Sequence, residues 1–256
     1  MSDKEMIPKI IHYCWFGKNP KPKLAEKCIL SWKKYCSDYQ FIEWTEDNFS
    51  ISSAPQYVQD AYTEKKWAFV SDYVRFVALV EYGGIYLDTD VELLKPLDSL
   101  LCHTAFSGTE DGNFVSAGIM GCEKGYPLFR EFRDFYKTLS FYNPDGTQNT
   151  TTVVVMLTEW CKAKGYRSEN VYQEIQGFAV YPSEYFYPLS NADRVMRKTE
   201  NTIAIHWFAG SWVSAERKRK KQRRQFKNRI KPMIVAVIGN NTFERLKKVF
   251  HYQAKD

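Results

Sequence analysis

Apolar positions along this 256-residue chain recur with two spacings, and their alternation lays out the expected elements. Lys9–Trp15 reads as a first strand, stopped by Gly17 and the loop carrying Pro20 and Pro22. Leu24–Tyr35 has helical spacing, with Leu24, Cys28 and Trp32 on one side, and Tyr39–Trp44 alternates as a strand. A short helix at Gln56–Thr63 precedes a long apolar one at Trp67–Glu81, which the Gly83-Gly84 pair ends because glycine readily takes the left-handed cap conformation. Ile85–Asp88 is then a buried strand. Thr104–Ser107 and Phe114–Gly121 are expected as further strands, Pro127 to about Leu139 and Thr151–Lys162 as helices, and Ala179–Tyr181 and Thr202–His206 as the last strands. Strands alternating with helices predict an α/β sandwich around a mixed, mainly parallel sheet. The composition changes near Ser214, so residues 1–214 are read as one catalytic domain and 215–256 as a basic, helical extension.

The chain's net charge of +6 is unevenly distributed. Between Glu216 and Lys231 there are ten Lys/Arg and one acidic residue, a local +9, so the remainder carries −3. A basic cluster next to apolar residues fits the anionic inner face of a membrane, at about 1 kcal/mol per basic residue near the surface. A solvated helix and a nucleic-acid arm are the competing readings, and no nucleic-acid module accompanies the cluster, so no nucleic acid is expected. The six cysteines show no Cys-x-x-Cys spacing, which fits free thiols in a reducing compartment. The N-terminus lacks a signal-peptide pattern, and the apolar run Met233–Ile238 is short of the roughly 20 residues a span needs. A cytoplasmic protein, peripheral on the inner membrane face, is the expectation.

The densest chemical information lies in Ser71-Asp-Tyr-Val-Arg75 and in Tyr82-Gly-Gly-Ile-Tyr-Leu-Asp-Thr-Asp-Val-Glu92. Two carboxylates at i and i+2 just past an apolar strand point the same way, at the sheet edge where open α/β folds place ligands. Asp-x-Asp alone also occurs by chance in solvated turns; its setting behind Ile-Tyr-Leu argues for a site. Hard divalent cations take carboxylate oxygens, and one that also binds diphosphate needs only one or two from the protein, so Asp88 and Asp90 are candidate ligands for Mn²⁺ or Mg²⁺. Asp72 and Arg75 lie three apart on an otherwise apolar helix, a pattern suited to gripping sugar hydroxyls from a cleft, although a surface ion pair shows the same spacing. His206 ends the last strand and could complete a metal site or contact phosphate. Trp15 ends the first strand and could stack on a base.

Together these stretches resemble the family 32 glycosyltransferases and the related glucosylating bacterial toxins. The resemblance rests on Ile7–Gly17, on Ser71–Arg75, on Gly83–Asp90 and on His206 with Ser211-Trp212. It implies a GT-A-like (Rossmann-like) fold and a retaining transfer of a hexosyl unit from a nucleotide-sugar, UDP-sugars favoured. The implied acceptor is a lipid-linked saccharide in bacterial surface polysaccharide synthesis. It further implies that Trp15 stacks on the base, that Asp72 and Arg75 hold the sugar, and that Tyr86 flanks the nucleotide. Asp88 would contact ribose and metal, Asp90 and His206 the metal, and Ser211 and Trp212 the phosphates. For the polar residue facing the anomeric carbon, Asn149 and Asp111 are the candidates. The pattern at Asp88–Glu92 also resembles that of aspartyl phosphatases, with Glu92 where those enzymes carry Thr or Val, and a non-enzymatic protein acting through the basic segment is the third reading.

Overall fold

A computed structural model describes residues 7–210 together with Arg219, Arg223 and Gln225. Its elements, in chain order, are β1 (Ile10–Cys14), α1 (Lys23–Tyr35), β2 (Gln40–Trp44), α2 (Gln56–Thr63), α3 (Trp67–Tyr82), β3 (Gly84–Leu87), β4 (Val91–Leu93), β5 (Ala105–Glu110), β6 (Phe114–Val115), β7 (Ile119–Cys122), α4 (Pro127–Phe135), α5 (Val153–Lys162), β8 (Gln173–Ile175), β9 (Phe178–Tyr181) and β10 (Ala204–His206). The main sheet runs β2-β1-β3-β7-β5-β9-β8, with β6 paired to β5. β1 is parallel to β2 and β3, and β5 to β9, while β7 runs antiparallel to both β3 and β5 and β8 runs antiparallel to β9. Five of the seven strands on that path therefore point the same way, with β7 and β8 reversed. The α/β class expected from the alternation is the one the chain adopts. A separate antiparallel pair joins β4 to β10.

Side chains on successive strand positions go to opposite faces, and each face has its own core. Ile85 and Leu87 of β3 join a cluster with Ile11, Trp32, Leu93 and Phe186. Tyr86 between them joins the other, with Val74, Phe76, Phe129 and Phe178. The helix α3 is buried at nearly every position from Phe69 to Val80, the state in which a helix apolar all round is stable. Its end needs glycine: Gly83 has φ +69° and Gly84 φ +99°, and a Cβ on Gly84 would stand 2.7 Å from the Ile10 carbonyl oxygen. The turn thus drops β3 directly beside β1.

Several expected boundaries move. The strand expected over Phe114–Gly121 is two strands, because Ser116–Gly118 leaves the sheet. The strand expected to stop at Ser107 continues to Glu110. The helix from Pro127 ends at Phe135 and passes into a 3-10 turn, and α5 begins at Val153, not Thr151. The strands β4 and β8 had no expectation. None of the six cysteines forms a disulfide. No helix among the described residues is long and apolar enough to cross a membrane. Among the described residues, 7–189 and 197–210 form one compact unit, and Ser190–Met196 groups with Arg219, Arg223 and Gln225 in a second, where the Gln225 amide donates to the Asn191 carbonyl. The expected boundary at 214, Ser211, Trp212 and the rest of the basic segment 216–231 lie outside the described residues.

One buried histidine fastens the first three strands. Trp44 Nε1–H can only donate, so His12 Nδ1 accepts it at 3.2 Å and His12 Nε2–H donates to the Gly83 carbonyl at 2.9 Å. Burial lowers the imidazole to about 4, against a smaller upward pull from the Gly83 bond. The unfolded chain therefore binds this proton more readily than the folded one. The contribution is complete above pH 6.5 and is lost as pH falls from there towards 4, by about 3 kcal/mol in all. Denaturant titrations at pH 7 and pH 4.5 should show a smaller acid loss in His12→Gln than in the unaltered protein. Equal losses would remove His12 from the account of acid sensitivity.

Candidate active site

The C-terminal end of β3 delivers Asp88, and the turn after it delivers Asp90. The pair β4–β10 brings the distant end of the chain to them: His206 stands opposite Val91, and Trp207 N–H bonds the Asp90 carbonyl at 2.9 Å. His206 Nε2 reaches Asp90 Oδ1 at 3.0 Å and lies 3.9 Å from Asp88 Oδ2, while Ala209 N–H donates to Asp90 Oδ2 at 2.7 Å. Behind Asp88 sits a buried cation. Arg75 donates to Asp72 Oδ1 at 2.6 Å, to the Ala117 carbonyl at 2.7 Å and to the Ser71 carbonyl at 3.2 Å. Its Nη2 is 3.5 Å from Asp88 Oδ1, and the guanidinium lies 4.6 Å from the centre of the Tyr86 ring. With side chains only 5% and 11% exposed, Arg75 and Asp72 are no surface pair.

Burial and charge set the protonation of this cluster. Burial raises the Asp72 carboxyl to about 7, against Arg75, with Asp88 adding to the rise and the Val153 N–H at the start of α5 opposing it. Asp88 is likewise raised by burial, against Arg75 and His206. At Asp90 burial is outweighed by the His206 charge and hydrogen bond and by Ala209 N–H, so its carboxyl falls. Burial pulls His206 down, but the charge and hydrogen bond of Asp90, then Asp88 and Glu110, carry it up to about 9.

Asp88, Asp90 and His206 offer ligand atoms all within 4.8 Å of one another. His206 Nδ1 is buried with no hydrogen-bond partner among the described residues. Two carboxylates and an imidazole converging this closely fit a divalent cation, and binding one would displace the imidazole proton. Gly118 leaves the space: a Cβ there would stand 3.0 Å from Asp88 Oδ2 and 3.2 Å from His206 Cε1.

Other expected site residues sit differently. Tyr86 does not present a face to a nucleotide; it is 1% exposed beneath Arg75, and its hydroxyl donates to Asp88 Oδ1 at 3.0 Å, so it acts by orienting that carboxylate. Trp15 is half-buried just past β1, with Nε1 bonded to the Asn19 carbonyl and Lys21 Nζ 5.6 Å from its ring centre. Asn149 belongs to the loop before α5, not to its first turn. Its side chain donates to the Ser140 carbonyl and accepts Thr151 N–H, which commits it to that loop. Asp111 turns the corner after β5 with φ +49°. The sequence reading passed over Glu110, which precedes it, and over the Ser116–Gly118 loop. An acidic residue ending an alternating Ala-Phe-Ser-Gly-Thr-Glu run just before an Asp-Gly turn was the available signal for Glu110.

Residues 22–107, which include Asp72, Arg75, Asp88 and Asp90, match the family model described as "Glycosyltransferase sugar-binding region containing DXD motif". The match is to a glycosyltransferase region of the kind the resemblance implied, and it covers two of the motifs that carried it, Ser71–Arg75 and Gly83–Asp90. It is 33% identical over 132 residues to the inositol phosphoceramide mannosyltransferase 3 of Schizosaccharomyces pombe (48% of this chain, 35% of that one). It is 28% identical over 134 residues to the human alpha-1,4-N-acetylglucosaminyltransferase (51% and 37%). With the human lactosylceramide 4-alpha-galactosyltransferase it shares 25% over 152 residues (54% and 40%). The chain thus spans well under half the length of these relatives. The family match covers Asp88–Glu92, the residues on which the phosphatase reading rested, and is to a glycosyltransferase region.

Replacing Gly118 by alanine should place a methyl group against Asp88 and His206 and weaken Mn²⁺ binding at least tenfold in calorimetric titration, with little change in melting temperature. Unchanged metal affinity in a folded Gly118→Ala protein would count against this cluster as the metal site.

Proposed function

We propose that the chain is a metal-dependent hexosyltransferase, moving a sugar from a nucleotide donor to a hydroxyl of a saccharide or glycolipid acceptor. The observation that carries this reading is the convergence of Asp88, Asp90 and His206 at one sheet edge, directly against the buried Asp72–Arg75 pair. Mn²⁺ suits a set mixing carboxylate oxygen with imidazole better than Mg²⁺, which favours oxygen alone. When bound, such an ion neutralises charge building on the departing diphosphate. The protein's own groups do the remaining work. Arg75 is fixed by four acceptors, so it meets the diphosphate without reorganising. Asp72, beside it, accepts hydrogen bonds from donor-sugar hydroxyls and so sets the sugar's orientation. Trp15, at the same edge as Asp88, offers an indole face to the base once Lys21 shifts. Ser211 and Trp212 follow β10 by a few residues and are assigned to the phosphates on the family pattern.

Retention of configuration and a preference for UDP-sugars belong to the same proposal, on the family resemblance. The named relatives leave the sugar open, since their names specify mannosyl, N-acetylglucosaminyl and galactosyl transfer. Two of the three names specify ceramide lipids, so a glycolipid acceptor has more support than the bacterial surface polysaccharide expected from the sequence. The +9 segment at 216–231 supports a peripheral placement on an anionic cytoplasmic membrane face, where a lipid-linked acceptor is presented.

Thermal-shift measurements with UDP, GDP, UDP-glucose, UDP-galactose, UDP-N-acetylglucosamine and GDP-mannose, with and without Mn²⁺, test the donor site. A ligand at 100 times its Kd adds about 2.7 kcal/mol, or about 5–10 °C for a chain of this size. The expected result is a Mn²⁺-dependent shift with nucleotides of one base, absent in Asp90→Ala. No shift with any of them, in folded protein, would overturn the proposal.

A further inference from the structure

Glu110 is the last residue of β5, and β5 runs in the same direction as β3, so its carboxylate emerges at the sheet edge that carries Asp88. In the sheet β5 lies two places from β3, across β7, so a group held at Asp88 has Glu110 on its β5 side. One Glu110 oxygen accepts the Ser116 hydroxyl at 3.0 Å. Ser116 is itself pinned: its N–H donates to the Gly108 carbonyl, its carbonyl accepts the Ser107 hydroxyl at 2.6 Å, and its Oγ receives Gly118 N–H at 3.4 Å. Gly118 closes the chain of contacts, with its carbonyl bonded to Asp88 N–H at 2.8 Å and its Cα facing Asp88 and His206. The carboxylate is therefore seated in fixed geometry, tied through Ser116 and Gly118 to the residues around Asp88 and His206. Burial raises the Glu110 carboxyl, while His206 and Ser116 draw it down. Beyond it the β5–β6 hairpin opens to solvent, where Phe114 is 40% exposed.

The geometry points to Glu110 as the residue that receives the incoming acceptor hydroxyl, an inference that rests on the donor-site reading above. Its second oxygen accepts a hydrogen bond from that hydroxyl and aims the oxygen lone pair at the anomeric carbon. The acceptor oxygen bonds to that carbon as the carbon's bond to the donor phosphate oxygen breaks. The electron pair leaves with the nucleoside diphosphate, and the hydroxyl proton, already hydrogen-bonded to Glu110, passes to that carboxylate, which then releases it to solvent. This assignment takes the place left by Asn149, which its own loop occupies, and moves one residue from Asp111.

The competing role is structural: Glu110 would merely tie the hairpin to Ser116. Glu110→Gln separates the two, because the amide oxygen still accepts the Ser116 hydroxyl. Water is the smallest acceptor, so the measurement is Mn²⁺-dependent hydrolysis of UDP-glucose, UDP-galactose, UDP-N-acetylglucosamine and GDP-mannose, with calorimetric Kd for UDP and GDP alongside. The expected result in Glu110→Gln is a kcat at least tenfold lower, a nucleotide Kd within twofold, and an unchanged melting temperature, with partial recovery in Glu110→Asp. An unchanged kcat overturns the inference and leaves the donor site standing. A kcat loss matched by an equal loss of nucleotide affinity assigns Glu110 to donor binding and overturns it as well. The absence of both nucleotide binding and hydrolysis in the unaltered, folded protein would overturn the donor-site reading itself.

Discussion

A guanidinium withdrawn from water has to be surrounded by acceptors, because an unpaired buried charge costs several kcal/mol, and around Arg75 those acceptors determine the rest of the site. They come from Asp72 and Ser71 on its own helix, from Asp88 beyond β3 and from the Ala117 carbonyl in the loop before β7. Tyr86 supplies the ring beneath the cation and a hydroxyl for Asp88. Helix, strand and loop are thus held in register by one side chain. The β3–β7 pairing and the Gly83-Gly84 turn have to deliver Asp88 to a place already defined.

The second constraint is reach. Asp90 and His206 are 116 residues apart in sequence, and the short β4–β10 pair is what joins them. Asp90 gathers the end of β10 and Trp207–Ala209 just after it with both carboxylate oxygens and its carbonyl. Glu92 braces the same ribbon from outside, taking the Trp207 indole N–H and the Lys27 ammonium on one oxygen. Charge balance in the cluster then depends on His206: protonated, it offsets Asp90, and that is the place a divalent cation would take over.

Much of this was readable in the sequence where local and global preferences agree. The all-apolar Trp67–Glu81 stretch ending at Gly83-Gly84 left little alternative to a buried helix, and the carboxylates past Ile85-Tyr-Leu could only emerge at a strand end. Less legible were features set by tertiary pairing. The three residues of β4 show no period of their own and become a strand only because Ala204–His206 pairs with them. Ser116–Gly118 reads as a continuation of the strand begun at Phe114, yet Arg75 and Asp88 pull its carbonyls out of the sheet. Tyr86 was placed beside the nucleotide by the family resemblance, whereas in a sheet with a core on each face its side chain is buried in one of them. Glu110 was hidden by Gly108, which interrupts the strand-forming residues before the run reaches its acidic end.

The central claim is that Asp88, Asp90 and His206 form one divalent-cation site completed by a nucleoside diphosphate. Electron paramagnetic resonance of Mn²⁺ tests it most directly, because bound ion loses the sharp six-line signal of the free ion. Titrating the protein with Mn²⁺ in the presence of UDP or GDP should remove the free signal up to one equivalent, and Asp90→Asn should abolish that loss. A free-ion signal that persists from the first addition with both nucleotides, or one suppressed equally in Asp90→Asn, would contradict the account.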